Sequence, residues 1–232
     1  MDRLLVRRAV AEGVGSALLL ATVVGSGIMG EELAAGQTAL ALLANSIATG
    51  AGLTALILAF ERASGAHFNP AVTLADAAAG GRPWREVPLT VAAQLAGAFA
   101  GVAAAHAMFG LPLFSLSDHA RAGPPQVLSE LVATFGLLAV IRGCSRSRPG
   151  LVAFAVGAYI AAAYWFTAST SFANPGVTLA RAATDTFAGI RARDVPWFVA
   201  AQLSGAFAGS ALMGWLGPVT RAEGHGARAG AA

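Results

Sequence analysis

Three blocks of this chain occur twice, in the same order, and that repetition restricts its fold more than any other feature. Ala11-Glu12 returns as Ser129-Glu130. Phe68-Asn69-Pro70-Ala71-Val72-Thr73-Leu74-Ala75 returns as Ala173-Asn174-Pro175-Gly176-Val177-Thr178-Leu179-Ala180. Val91-Ala92-Ala93-Gln94-Leu95-Ala96-Gly97-Ala98-Phe99-Ala100-Gly101 returns as Val199-Ala200-Ala201-Gln202-Leu203-Ser204-Gly205-Ala206-Phe207-Ala208-Gly209. The halves, about 1–115 and 120–216, form one domain over 1–232, and each contains three long apolar runs. Three is odd, so in a membrane the second half must lie upside down relative to the first. The result is an inverted repeat about a pseudo-two-fold axis in the membrane plane.

That the solvent is a membrane follows from composition. Of 232 residues, 56% are hydrophobic and only 12% are charged, against about 25% charged in soluble domains. Mean hydropathy is +0.65. Spans are expected at Val10–Met29, Thr38–Phe60, Val87–Met108, Gln126–Ile141, Leu151–Phe166 and Val195–Leu216, close to what a hydrocarbon core of ~30 Å requires. Two further apolar segments, Asn69–Ala79 and Asn174–Ala183, are only about ten residues long and at ~1.5 Å per residue reach halfway across. The expected fold is all-α: six transmembrane helices plus two re-entrant half-helices. The 28 glycines suit a bundle whose backbones approach closely.

All fifteen basic residues are arginine, and a pI near 10 raises the question of nucleic acid. The arginines lie scattered between apolar runs rather than along a stripe with aromatics, so they read as membrane flanks and no nucleic-acid partner is expected. With both termini inside, the cytoplasmic face collects Arg3, Arg7, Arg8, Arg62, Arg82, Arg85, Arg142, Arg146, Arg148, Arg221 and Arg228. The other side and the second short insertion hold Arg121, Arg181, Arg191 and Arg193, a positive-inside bias. Arg3, Arg7 and Arg8 before an apolar run also resemble a secretory signal, but Glu12 inside that run, and its later copy, argue for a retained first helix. The tail from about 217 to 232 reads as disordered and cytoplasmic. A single cysteine, Cys144, excludes an internal disulfide and a cysteine-based metal cluster. No nucleophile–base arrangement appears, so no enzyme activity, cofactor or metal is expected.

Ser64-Gly65-Ala66-His67-Phe68-Asn69-Pro70-Ala71-Val72-Thr73 resembles the first signature loop of the aquaporin and aquaglyceroporin (major intrinsic protein) family. Asn174-Pro175-Gly176 resembles the second, with glycine where alanine is usual. The resemblance covers almost the whole chain. It implies a multi-pass channel of the cell (inner) membrane, passing small neutral solutes through one pore in each subunit of a homotetramer.

The chemistry of the repeated motifs fits that expectation. Pro70 and Pro175 suit the first position of a helix, where no N–H is needed. Asn69 and Asn174 suit the N-cap and carry amide donors as well. Opposed half-helices would bring two positive dipole ends to the midplane, turning a water's oxygen toward both asparagines and repelling cations. The irregular backbone before each half-helix is tolerated at membrane depth only if it lines water or packs in protein. The resemblance implies a ladder of solute-accepting carbonyls, assigned here to Gly65, Ala66, His67, Ser169 and Thr170. His67 reads as a gate or as a vestibule histidine that holds its loop. Glu12 and Glu130 read as proton-coupling acids or as acceptors for the two loop backbones, and their symmetry favours the second. Gln94 and Gln202 are expected to satisfy the same loop backbones. Gly97, Gly101, Gly205 and Gly209 read as packing faces. Asp76 and Arg181, equivalent in the two half-helices, form an ion pair or sit at opposite mouths.

Counting from the two asparagines along the family's pattern places its outer constriction at Thr49, Ala162, Ser171 and Val177. Val177 stands where arginine is usual. Such a filter has no large aromatic and no arginine, and should be wide, unless a neighbour such as Tyr159 or Arg181 fills the space. A wide uncharged filter suits glycerol, urea or neutral metalloid acids such as arsenite. The run Tyr164–Asn174 resembles bacterial aquaglyceroporins associated with arsenic resistance. The missing arginine would also remove a barrier to weak anionic acids. The alternatives are a water-selective channel and a gradient-coupled secondary transporter, which also uses inverted repeats and broken helices.

Overall fold

A computed structural model describes residues 2–217; the expected disordered tail lies, from 218 on, outside the described residues. Six long helices are α1 (Arg3–Leu33), α2 (Thr38–Ser64), α4 (Val87–Met108), α5 (Pro124–Ser147), α6 (Val152–Phe166) and α8 (Val195–Trp215). Two short ones are α3 (Pro70–Ala78) and α7 (Pro175–Arg181). All eight fall where the hydropathy and the Asn-Pro pairs put them. The long helices overrun the apolar windows most at α1, which has 31 residues. Its charged first turn stays helical because the Asp2 side chain accepts from the Leu4 N–H at 2.9 Å. Hydropathy marks only the part in hydrocarbon, whereas the hydrogen-bond ladder continues into the headgroups.

Glycine decides how the two halves are built. In the first, α1 packs along α4, and a Cβ at Gly97 or Gly101 would collide with the carbonyl oxygens of Gly13 and Ala17. In the second, α5 packs along α8, and a Cβ at Gly205 or Gly209 would meet the carbonyls of Leu131 and Phe135. The same four-residue spacing thus brings the same pair of helices into backbone contact twice.

The outer surface is apolar. Val10, Val14 and Leu18 form an exposed stripe at four-residue intervals on α1, and Leu128 and Val132 do so on α5. Water would penalise such a surface; lipid does not. The tryptophans mark its borders: Trp84 and Trp215 lie at one end of the bundle, Trp165 and Trp197 at the other, all exposed. Indoles at both ends are what two membrane–water interfaces select. The chain is therefore a multi-pass membrane protein.

Candidate functional site

The two half-helices start face to face at the middle of the bundle. Asn69 Oδ1 accepts from the Ala71 N–H at 2.9 Å, and Asn174 Oδ1 accepts from the N–H groups of Gly176 and Val177 at 2.9 and 3.2 Å. Each amide also crosses to the other half. Asn69 Nδ2 donates to the Ala173 carbonyl and Asn174 Nδ2 to the Phe68 carbonyl, both at 2.8 Å. The asparagines are thus caps and reciprocal latches. At Gly176 a Cβ would sit 3.3 Å from Pro70 Cδ, so glycine in place of alanine eases this junction.

The loops leading to these caps repeat one strained geometry. Gly65, Ala66 and Phe68 have φ of 94°, 50° and 48°; Thr170, Ser171 and Ala173 have 61°, 50° and 49°. Left-handed conformations cost non-glycine residues of order 1–3 kcal/mol each and persist only when their surroundings impose them. Here the surroundings are two buried carboxylates. Glu12 accepts from the N–H groups of His67 and Phe68 at 3.0 and 2.7 Å and from the Ser64 hydroxyl at 2.7 Å. Glu130 accepts from the N–H groups of Phe172 and Ala173 at 2.9 and 2.8 Å.

Gln94 and Gln202 act one step back from where the sequence puts them. They do not touch the loop backbones. Gln94 Nε2 donates to Glu12 at 2.7 Å and to the Thr73 hydroxyl at 2.9 Å; Gln202 Nε2 donates to Glu130 at 2.6 Å and to the Thr178 hydroxyl at 2.8 Å. Each glutamine therefore clamps its glutamate to a half-helix. The carboxylate already satisfies the loop N–H groups, which leaves the amide free for this role.

The loop carbonyls left without a protein donor also differ from the expected set. Among the described residues, no protein donor reaches the carbonyls of Gly65, Ala66 and His67, or those of Thr170, Ser171 and Phe172. The Ser169 carbonyl differs from these, because it accepts from Arg121 at 3.3 Å. Symmetry would have found the set: positions two to four before Asn69 correspond to Thr170–Phe172, not to Ser169 and Thr170.

A narrow cavity of about 100 Å³ runs through the bundle past both asparagines, from Gly65, Ala66 and His67 to Val177 and Arg181. Thr49, Ser171 and Val177 line it, and neither Ser169 nor Thr170 does. Ala162 does not line it either: it is exposed on the outward face of α6, whose Val156, Ile160 and Tyr164 face the lumen instead. One helix cannot turn both faces to one cavity, so counting back through the break after Phe166 lost the register.

Two other residues change the character of this end. The Tyr164 hydroxyl donates to Thr49 Oγ1 at 3.2 Å, so a large aromatic does stand in the lumen. Arg181, one helical turn beyond Val177, lines the cavity too, so the lumen is not free of arginine. Tyr159 instead packs on α5, with its hydroxyl 3.1 Å from the Ala133 carbonyl. At the opposite mouth His67 lines the cavity with Nδ1 3.1 Å from Thr73 Oγ1 and Nε2 3.8 Å from Asp76. Asp76 and Arg181 thus sit at opposite ends, unpaired with each other.

Behind the α7 mouth lies Arg121, in the loop before α5. Its guanidinium donates to the carbonyls of Gly189, Ser169 and Phe187 and to the Thr170 hydroxyl. Burial pulls its pKa down to about 10, so it is a cation at neutral pH. Its counterpart in the first half is Arg82, which donates to the carbonyl of Ser64, the equivalent of Ser169, at 2.6 Å; the two arginines come from loops at different places in the repeat, so sequence spacing does not pair them.

Six spans and two opposed half-helices in an inverted repeat, closing round one lumen, define the aquaporin fold. The chain belongs to the major intrinsic protein family, whose defining pattern matches residues 2–150. It is 56% identical over 212 residues to "Aquaglyceroporin AqpS" of Rhizobium meliloti (strain 1021), covering 91% of each chain. It is 36% identical over 130 residues to the "Glycerol uptake facilitator protein" of Bacillus subtilis (strain 168), covering 49% of this chain and 46% of that one. Among solved structures, the aquaglyceroporin from Plasmodium falciparum superposes with a TM-score of 0.67 at 21% identity, over 93% of this chain and 96% of that one, which concerns the fold alone.

The latching asparagines carry a prediction. Asn69→Asp or Asn174→Asp replaces a donor by an oxygen facing the opposite loop's carbonyl, and if ionised it puts negative charge where two helix N-termini converge. Either variant is expected to leak protons or small cations, read with a pH dye trapped in proteoliposomes. Wild-type exclusion by both would remove the asparagines from the selectivity mechanism.

Proposed function

We propose that this protein is a passive channel for small uncharged solutes, water and glycerol first, with urea and neutral metalloid acids such as arsenite in its range. The observation that carries this reading is the two-faced lumen. One wall is apolar, with Val23, Leu53, Val156 and Ile160 among its residues, and the other presents loop carbonyls and the asparagine amides. A polyol needs both, a dry face for its carbons and acceptors for its hydroxyls. The names of the Rhizobium and Bacillus relatives support the same solute class.

Thr49, Ser171 and Val177, joined by Tyr164, are the proposed selectivity filter, and Gly65, Ala66 and His67 the acceptor line on the other side. Ser171 suits its place, because its buried hydroxyl has no protein partner. We place both termini in the cytoplasm on the distribution of arginine, so the α7 mouth opens outward, and read the assembly as a homotetramer in the inner membrane. A gradient-coupled transporter needs a free midplane acid. Glu12 and Glu130 are each occupied by two loop N–H groups and a glutamine.

Stopped-flow measurements on proteoliposomes with water, glycerol, urea and arsenite test the reading. Glycerol flux well above protein-free vesicles, and unchanged by proton or sodium gradients, is expected. Water flux alone would favour the water-selective alternative, and gradient-dependent flux a transporter. Mercurials should block little: Cys144 lies on α5 near Arg142, which donates to Ala75 of α3, at the mouth away from Ser171 and Val177. Strong block abolished by Cys144→Ala would show that this end of α5 controls flow.

A further inference from the structure

Val177 and Arg181 are four residues apart on α7 and share one face. Both line the lumen. Arg181 is 2% exposed, yet no carboxylate pairs with it among the described residues. Its Nε donates to the Ala188 carbonyl, and its guanidinium lies over Phe172, with Cζ 3.4 Å from the ring centroid. Among the described residues its two terminal amino groups donate to no protein acceptor, and neither is a fully enclosed, unsatisfied atom.

An unpaired cation this deep is tolerated only where something else solvates it. Beyond the Ala188 carbonyl and the Phe172 ring, what is left to solvate its terminal amino groups is the content of the lumen. Arg121 supplies the contrast. It stacks on the same ring, Cζ 5.0 Å from the centroid, but its N–H groups are spent on four protein acceptors. One guanidinium fastens the loops, and the other is left open.

Resting on the channel reading above, we infer that Arg181 is the lumen's own cation and a specificity-determining residue. Its free N–H groups offer donors to the oxygens of passing hydroxylated solutes, and its charge turns back small cations at the outer mouth. It takes over, one turn farther out, a role the side chain at 177 does not fill. The contact with Phe172 and the bond to Ala188 hold the side chain, so little of its freedom remains to be lost when a solute binds.

Charge rescue tests this without relying on loss of function. Arg181→Cys in a Cys144→Ala background, reconstituted in proteoliposomes, is expected to admit methylammonium at least about tenfold faster than its parent, as loss of a nearby unit charge in a poorly screened passage implies. A thiosulfonate carrying a fixed positive charge, added outside, should restore exclusion, and a neutral reagent of similar bulk should not. Should the cysteine variant fail to insert, Arg181→Gln, which retains a donor for Ala188, is expected to show the same cation entry. Exclusion equal to the parent in an inserted variant, or rescue by the neutral reagent, would overturn the inference and leave Arg181 a fastener. Absence of solute flux in the wild type would instead overturn the channel reading, and this inference with it.

Discussion

Val177→Arg is expected to lower glycerol permeability about tenfold or more, equivalent to ~1.4 kcal/mol of added barrier, while water permeability falls much less. Val177 is buried and lines the lumen together with Tyr164 and Thr49. An arginine there fills space that a three-carbon solute needs and a water does not. It also places a second guanidinium one helical turn from Arg181, which itself pairs with no carboxylate among the described residues. Two unpaired cations repel each other and hold ordered water that glycerol must displace. Ser171 and the loop carbonyls offer acceptors, so the variant should still insert. Parallel stopped-flow traces for water and glycerol check the result. An unchanged ratio in an inserted protein would mean that the constriction lies elsewhere and that Val177 only packs.

Glu130→Ala is expected to have the larger effect on stability. The truncation strips partners from the Phe172 and Ala173 N–H groups and from Gln202, all buried. Each stranded donor costs about 1–3 kcal/mol, and the left-handed backbone at Ser171 and Ala173 loses what holds it. We expect a thermal midpoint lower by roughly 10 °C or more and little remaining solute flux, since the Ala173 carbonyl that latches Asn69 moves with the loop. Glu130→Gln keeps one acceptor oxygen and should fall between. Thermal unfolding in detergent and vesicle swelling measure the two effects. If Glu130→Ala matched the wild type in both, the carboxylate would not be what holds the loop.

Much of this site was legible in the sequence because it is written there twice. An Asn-Pro pair or a lone glutamate in an apolar run is ambiguous. Two copies, at matched distances in halves of opposite orientation, leave few ways to bury the polar groups except against each other. Asn69 with Asn174, Glu12 with Glu130, and Gly97 with Gly205 were therefore readable without coordinates. The caps, the helix-packing faces and the six spans follow from local chemistry and from the solvent, both of which a sequence records.

What the sequence could not decide is which way a side chain turns once the helices dock. Ala162 was placed by counting, but α6 stops at Phe166 and the irregular backbone beyond it resets the helical phase, so only packing against α2 and α5 put Ile160 and Tyr164 in the lumen. Spacing alone assigns the glutamines to the loops, because a chain of two hydrogen bonds, loop to carboxylate to amide, leaves no signature in it. Arg121 and Arg181 lie sixty residues apart and meet on one phenylalanine ring only in three dimensions. Local propensity and repetition determined the elements and their inverted arrangement. Tertiary contact decided the lining, because a lumen is the space left after packing and belongs to no single stretch of chain.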